Sequence, residues 1–337
     1  MTGKERVAAV FAGELPDRVP LFEAALNPHF VDALGAGDCY VASQALGLDL
    51  LTMWPMGPGV SFEEGDEAAD EFGRVFRLDP TPRTYGRLYE SGRLKSFDDL
   101  DVYTQPVNLD VALPAEACRD ILARFPDRAM AFVDEGPLEL TYGSFGMEPF
   151  FLALYENREL VCEVLRRRTE RFITLACRAA ELGMDYVLLA DDSAFKGGSL
   201  MSPALFEELI IPHYQAIVDA LPIPVCWHSD GFVEDLLPLI IKAGIRSVHS
   251  LEPAAGVDLG RVKRNVGDRL VLIGNVCCST VLTQPDMRLV RADVDRCMQQ
   301  AKAGGRYILS SCNSLHAGVD VPVGVEMFRY AAEVGRY

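Results

Sequence analysis

The chain of 337 residues predicts an α/β fold of the (β/α)8 barrel type, and three observations carry that expectation. Eight short, mainly aliphatic runs are spread along it, segments of helical period separate the later ones, and no clear interdomain linker divides it. Parallel strands need long crossovers, usually helices, so strand and helix alternating every ~25–40 residues read as a parallel sheet covered by helices. A barrel of this length needs no second domain, so residues 1–337 are expected to form one unit around a large core.

The expected strands are residues 19–22, 48–53, 129–133, 186–189, 223–227, 247–251, 270–273 and 307–309. A helix is predicted over 158–182, where Leu160, Val161, Val164, Leu165, Phe172 and Leu175 recur at helical spacing before Gly183 stops it. Ser202 followed by Pro203 reads as a cap and a first helical position. Another helix is expected over 232–243. Residues 57–110 fit the alternation poorly, being rich in charge, glycine and proline, as in Glu63-Glu64-Gly65-Asp66-Glu67. They read as an insertion between the second and third strands, a hairpin and a lid over the barrel mouth, with 75–78 alternating like an edge strand. The acidic run itself reads as a solvated face.

Composition excludes several functions. A net charge of −17 repels nucleic acid phosphates and anionic membranes. No apolar run reaches the ~18 residues that a membrane span requires. The first residues, Met-Thr-Gly-Lys-Glu-Arg, lack an apolar signal core, so a cytoplasmic location is expected. Nine cysteines, an odd and scattered set, read as reduced thiols filling apolar space.

The stretch Cys226-Trp227-His228-Ser229-Asp230-Gly231 sets an imidazole and a carboxylate two residues apart where an apolar strand ends. Strand ends of this kind ring the mouth of a parallel barrel, where its chemistry is done. Other residues expected on that rim are Glu135 and Glu139, Asp191 and Asp192, Glu252, Asn275, Cys277 and Cys278, and Cys312 and Asn313. Acids, an imidazole and thiols meeting on one rim suit zinc, which accepts all three ligand types and keeps a position open when catalytic. No Cys-x-x-Cys or His-Glu-x-x-His occurs, so the ligands must converge from separate strands. Plainer readings stand beside these. Asp230 also reads as a helix cap, Cys277 and Cys278 as core fillers, and His213 and His249 as structural, while His316 stays open.

Several segments together resemble the uroporphyrinogen decarboxylase superfamily. They are Pro16-Asp17-Arg18-Val19-Pro20, Met201-Ser202-Pro203-Ala204-Leu205-Phe206-Glu207 with Pro212, His228-Ser229-Asp230-Gly231, Gly256-Val257-Asp258-Leu259, Gly274-Asn275-Val276 and the tail around Cys312. The resemblance implies a (β/α)8 barrel and one of two chemistries. Its decarboxylases hold a polycarboxylate tetrapyrrole with an arginine-rich N-terminal segment and no metal. Here residues 21–29 carry no arginine and include Glu23, which disfavours that branch. The other branch comprises methyltransferases that serve corrinoid proteins. Its thiol methylators bind zinc through His-x-Cys and a distant Cys. His228 and Cys312 match, whereas Asp230 stands for the first cysteine. Its aromatic O-demethylases show Glu-x14-Glu-x20-His, matched here by Asp192-x14-Glu207-x20-His228 with Asp in the first place.

The resemblance therefore implies a zinc-dependent methyltransferase. It would move a methyl group from a small, methoxylated aromatic substrate to the corrinoid of a partner protein. His228, Glu207, Asp192 and Cys312 are the expected metal ligands, with Asp230, Asp191 and Glu139 for proton transfer or support. The alternatives are a metal-free decarboxylase of a porphyrinogen-like or aromatic carboxylate, and a barrel that only binds a corrinoid or methylated ligand.

Overall fold

A computed structural model describes residues 1–56, 67–78 and 87–337. Among these described residues, seven parallel strands lie side by side in chain order: Leu50–Met53, Ala129–Glu135, Tyr186–Ala190, Val225–Ser229, Ser247–Ser250, Val271–Ile273 and Tyr307–Ile308. The expected run at 19–22 contributes single parallel bridges instead of a full strand. Leu21 bridges Leu309 beside the last strand, and Phe22 bridges Leu50 in the first. The two outer strands are thus tied through one dipeptide.

Both faces of the sheet are buried, which explains why its strands read as apolar runs without alternation. Alternate residues divide between two cores. Leu50, Ala131, Val133, Leu188, Cys226, Ile273 and Ile308 pack together on the concave side. Leu51, Phe132, Val187, Leu189, Trp227, Val248 and Leu272 pack outward against the helices. The N-terminal helix Gly3–Ala12 closes the end where the strands begin. Its Val7 and Val10 join the inner core, and Phe11 stacks on Tyr186 at 4.5 Å. Beneath that helix, buried Asp49 receives Arg18 at 2.7 and 3.0 Å and Arg6 at 3.0 Å.

The helix Arg158–Leu182 matches the predicted span and ends at Gly183 in the left-handed region. The Ser202 hydroxyl accepts from Leu205 N and opens the helix Pro203–Leu209. Strand ends differ from expectation by one or two residues, one strand is shifted and one helix is shortened. The strand expected at 223–227 is Val225–Ser229, because pairing with Ala190 and His249 carries the ladder through His228. The helix expected over 232–243 is only Leu237–Lys242.

Among the described residues between Met53 and Ala129 are three antiparallel strands, Glu67–Ala69, Arg74–Leu78 and Arg87–Gly92. Arg74–Leu78 is the central strand of that sheet, not an edge, since neighbours pair with both of its sides. The sheet docks on the helix Pro137–Phe145. The Tyr89 hydroxyl donates to Gly143 O at 3.0 Å, and Arg74 forms a bidentate pair with Glu135 at 2.8 and 2.7 Å. The acidic residues 63–66 lie outside the described residues, unlike Glu67. Among the described residues, no helix is long and apolar enough to cross a membrane.

Candidate metal centre

His228 lies on the strand Val225–Ser229, directly across from His249 on the next strand. The two rings stack with centroids 4.9 Å apart, and their Nδ1 atoms lie 2.8 Å apart, sharing one hydrogen. His249 is fully buried, and burial, followed by the facing His228, pushes its pKa well below the ordinary imidazole value. A ring N–H of His249 also faces the Ser311 backbone carbonyl.

The other nitrogen of His228, Nε2, faces two carboxylates. Asp192 Oδ1 and Asp230 Oδ1 each lie 3.8 Å from it. One ligand atom from each of Asp192, His228 and Asp230 falls within 4.8 Å of the other two, a spacing that can hold a metal ion. The carboxylates are themselves fixed. Asp192 Oδ1 accepts from Asp230 N at 2.8 Å, and Asp192 N donates to Glu139 Oε2 at 3.2 Å. The Ser250 hydroxyl lies 2.9 Å from Asp230 Oδ1, and the Asn313 amide donates to Asp230 Oδ2. Glu252 accepts from Gly231 N at 3.0 Å. Gly231 is required here, with φ of +87° and space that would put a Cβ 2.6 Å from Ala194 C.

Removal from water raises the acids around this point. Asp230 is pushed up to about 7 by burial, moderated by His228 and reinforced by Asp192. Glu139 is held well above the usual carboxylate range by burial and then by Asp192. Asp191, also raised to about 7 by burial, has a different task. Its two oxygens accept from Leu138 N and Glu139 N at 3.1 and 2.6 Å, and Tyr214 donates to it at 2.9 Å. Asp191 therefore caps the helix Pro137–Phe145, replacing the capping side chain that Gly136 lacks.

Two of the four ligands expected from sequence are brought together, Asp192 and His228, and Asp230 completes the group. Glu207 is not among them. Its carboxylate pairs with Lys242 on a surface helix, because its place on Pro203–Leu209 turns it from the strand ends. Cys312 does not join either. Its fully buried sulfur lies 3.5 Å from that of Cys278, and Cys278 N–H points to it at 3.4 Å. Asp230 is no helix cap. All nine cysteines are free. His249, expected to be structural, is fully buried, and its pairing with His228 is not visible in the sequence. His213 has the same structural reading, and its ring meets Thr169 at 2.8 Å.

Beside His228 opens a cavity of about 330 Å³, walled by Trp54, Ala24, Val133, Leu188 and Asn313. Its described walls carry no lysine or arginine. Larger cavities of about 410 and 540 Å³ lie along the helix Arg158–Leu182 and contain none of these residues.

Fold and site together define an α/β protein with a metal-capable imidazole–dicarboxylate group at the carboxyl ends of its parallel strands. The chain belongs to the uroporphyrinogen decarboxylase (URO-D) family, whose model matches residues 90–333. Among curated proteins none matches it. A solved methyltransferase from Methanosarcina mazei is similar over 99% of both chains, with 20% identity and a TM-score of 0.79. A B12-independent methionine synthase from Shewanella sp. W3-18-1, in complex with selenomethionine, is similar over 94% of this chain and 93% of its own. Its identity is 10% and its TM-score 0.55.

Proposed function

We propose that the protein is a zinc-dependent methyltransferase of a demethylating system. It takes a methyl group from a small methylated substrate, a methoxylated aromatic compound by preference, and delivers it to the corrinoid of a partner protein. The sheet, tied at its edges by Leu21 and Phe22, is read as a (β/α)8 barrel with its mouth at His228. The observation that carries the reading is the convergence of Asp192, His228 and Asp230 beside an apolar cavity. Family membership and the likeness to a methyltransferase support it.

One imidazole and two carboxylates suit zinc, and three protein ligands leave a coordination position for substrate. Bound there, zinc would supply Lewis acidity toward the ether oxygen, whose leaving phenolate is otherwise too basic to depart. The partner's corrinoid would supply the methyl acceptor. The chain's own residues do the rest. Trp54 and the aliphatic walls hold an uncharged ring, and exclusion of water strengthens every charge inside. The bond from the methyl carbon to oxygen breaks with its electron pair on oxygen. Glu139, whose pKa burial raises and whose Oε2 accepts from Asp192 N, is assigned as the source of the proton that this oxygen needs. Asp191 acts as a positioning residue by fixing the helix that carries Glu139. His249 is assigned as the acceptor of the His228 Nδ1–H, which leaves the Nε2 lone pair facing the carboxylates.

A decarboxylase of polycarboxylates would need cationic partners for its substrate. The described walls of the cavity offer none, which favours the neutral substrate.

Metal analysis of purified protein, paired with a methyl-transfer assay using a methoxyarene and reduced cobalamin, tests the reading. Stoichiometric zinc and methylated cobalamin are expected from the native chain, and neither from His228→Ala. Zinc retained in full by His228→Ala overturns it.

A further inference from the structure

Beyond the strand Val271–Ile273, Val276 bridges Ser311 in parallel, and Cys312 N donates to Val276 O at 2.8 Å. Cys277 and Cys278 thereby come to stand beside Cys312 on neighbouring extended segments. Adjacent strands run about 4.8 Å apart, inside the Cα separation that a disulfide spans. The Cys278 and Cys312 sulfurs are already in contact at 3.5 Å.

We propose that Cys278 and Cys312 form a redox-active dithiol which a peroxide closes to a disulfide, and that closure loosens the metal centre. Cys278 is the more accessible of the pair, 8% exposed against 0% for Cys312, so it meets the oxidant first. Its sulfur attacks a peroxide oxygen, and the O–O bond breaks. Hydroxide leaves, joins the thiol proton as water, and a sulfenic acid remains on Cys278. Cys312 sulfur then attacks the Cys278 sulfur. The S–S bond forms, the S–O bond breaks, and the departing hydroxide takes the Cys312 proton as a second water. Two thiols lose two electrons, and one peroxide becomes two waters.

The link to the centre runs through the backbone. The Cys312 carbonyl shares the Ser250 hydroxyl with Asp230 Oδ1, and the adjacent Asn313 donates to Asp230 Oδ2. A disulfide bond is about 2.05 Å long, so closure from contact distance draws Cys312 and its neighbours toward Cys278. Asp230 then loses supports on both oxygens. This coupling rests on the metal site proposed above, whereas the dithiol does not.

The test treats the full chain with hydrogen peroxide, blocks remaining thiols, maps the peptides by mass and titrates Zn2+ against a chelator. A Cys278–Cys312 cross-linked peptide is expected in the native chain and in Cys277→Ser, and is lost in Cys278→Ser. Zn2+ binding of the oxidised native chain is expected to weaken about 10–100-fold, the usual effect of losing outer support, and to recover with dithiothreitol. In Cys278→Ser, peroxide is expected to leave Zn2+ binding unchanged. Both thiols alkylated after peroxide, a sulfinic acid on Cys278, or a bridge from Cys312 to Cys277 overturns the dithiol. A Cys278–Cys312 bridge with unchanged Zn2+ affinity overturns the coupling. Reduced protein that takes up no Zn2+ overturns the metal site itself, and the bridge is then judged by mass alone.

Discussion

His249 meets the candidate ligand His228 through one shared hydrogen, so its replacement separates ligation from support in the proposed centre. His249→Phe would leave the His228 Nδ1–H buried without an acceptor, free to lose its orientation. Zinc affinity is expected to fall about 10–100-fold with the circular dichroism unchanged, and His249→Gln to recover part of it. Unaltered affinity in His249→Phe would remove the assigned role. Glu207→Gln is expected to retain zinc and methyl transfer in full, since Glu207 pairs with Lys242 at the surface. The spacing that singled out Glu207 is a property of the chain, whereas ligation depends on the face of the helix that a residue occupies. His249 reads as structural alone for the reverse reason. It lies inside a strand, and only the register that sets it opposite His228 suggests the proposed role. His228, Asp192 and Asp230 were legible because each closes an apolar run, the position that faces a mouth.

At the scale of elements, Gly136 joins a strand to a helix where no side chain fits. A Cβ there would come 2.2 Å from Asp191 Cγ. Gly136→Ala is expected to expel the Asp191 carboxylate from the helix terminus it caps. The expected cost is about 1–2 kcal/mol in urea unfolding, with methyl transfer reduced through displacement of Glu139. Unchanged stability and rate would show that the cap is dispensable. Strand positions were largely legible from composition because double burial leaves continuous aliphatic runs. Their ends were less so. Polar His228 and Ser229 look like loop in a sequence, yet ladder pairing on both sides keeps them in the strand. The 19–22 run was legible as apolar and parallel, while its contraction to two bridges depends on where both outer strands finish.

For the whole molecule, pH acts through acids that burial raises. Asp230 and Asp191 stand at about 7 in the folded chain against 3.8 for a free carboxyl. The folded state therefore holds more protons than the unfolded one between about pH 4 and 7, and stability contributed by these groups declines as pH rises through that window. Metal-free protein is expected to melt at progressively lower temperature from pH 5 to 8, and Asp230→Asn to flatten that slope. Zinc reverses the preference, because a ligand must be ionised, so its affinity is expected to climb as pH passes about 7. Zinc binding flat across this range would show that Asp230 ionises without hindrance. Asp49 tests the opposite end. Breaking its buried pairing with Arg18 and Arg6 by Asp49→Asn is expected to cost about 3–5 kcal/mol while leaving zinc uptake intact.

The helix Gly3–Ala12 stoppers the end of the sheet where the strands begin, opposite the chamber at His228. For the proposed methyl transfer, entry from the strand ends alone imposes an order: the small donor settles before the bulky acceptor covers the doorway, and the demethylated product waits until that acceptor departs. Rates should then follow a compulsory sequence, with excess acceptor protein trapping the product inside.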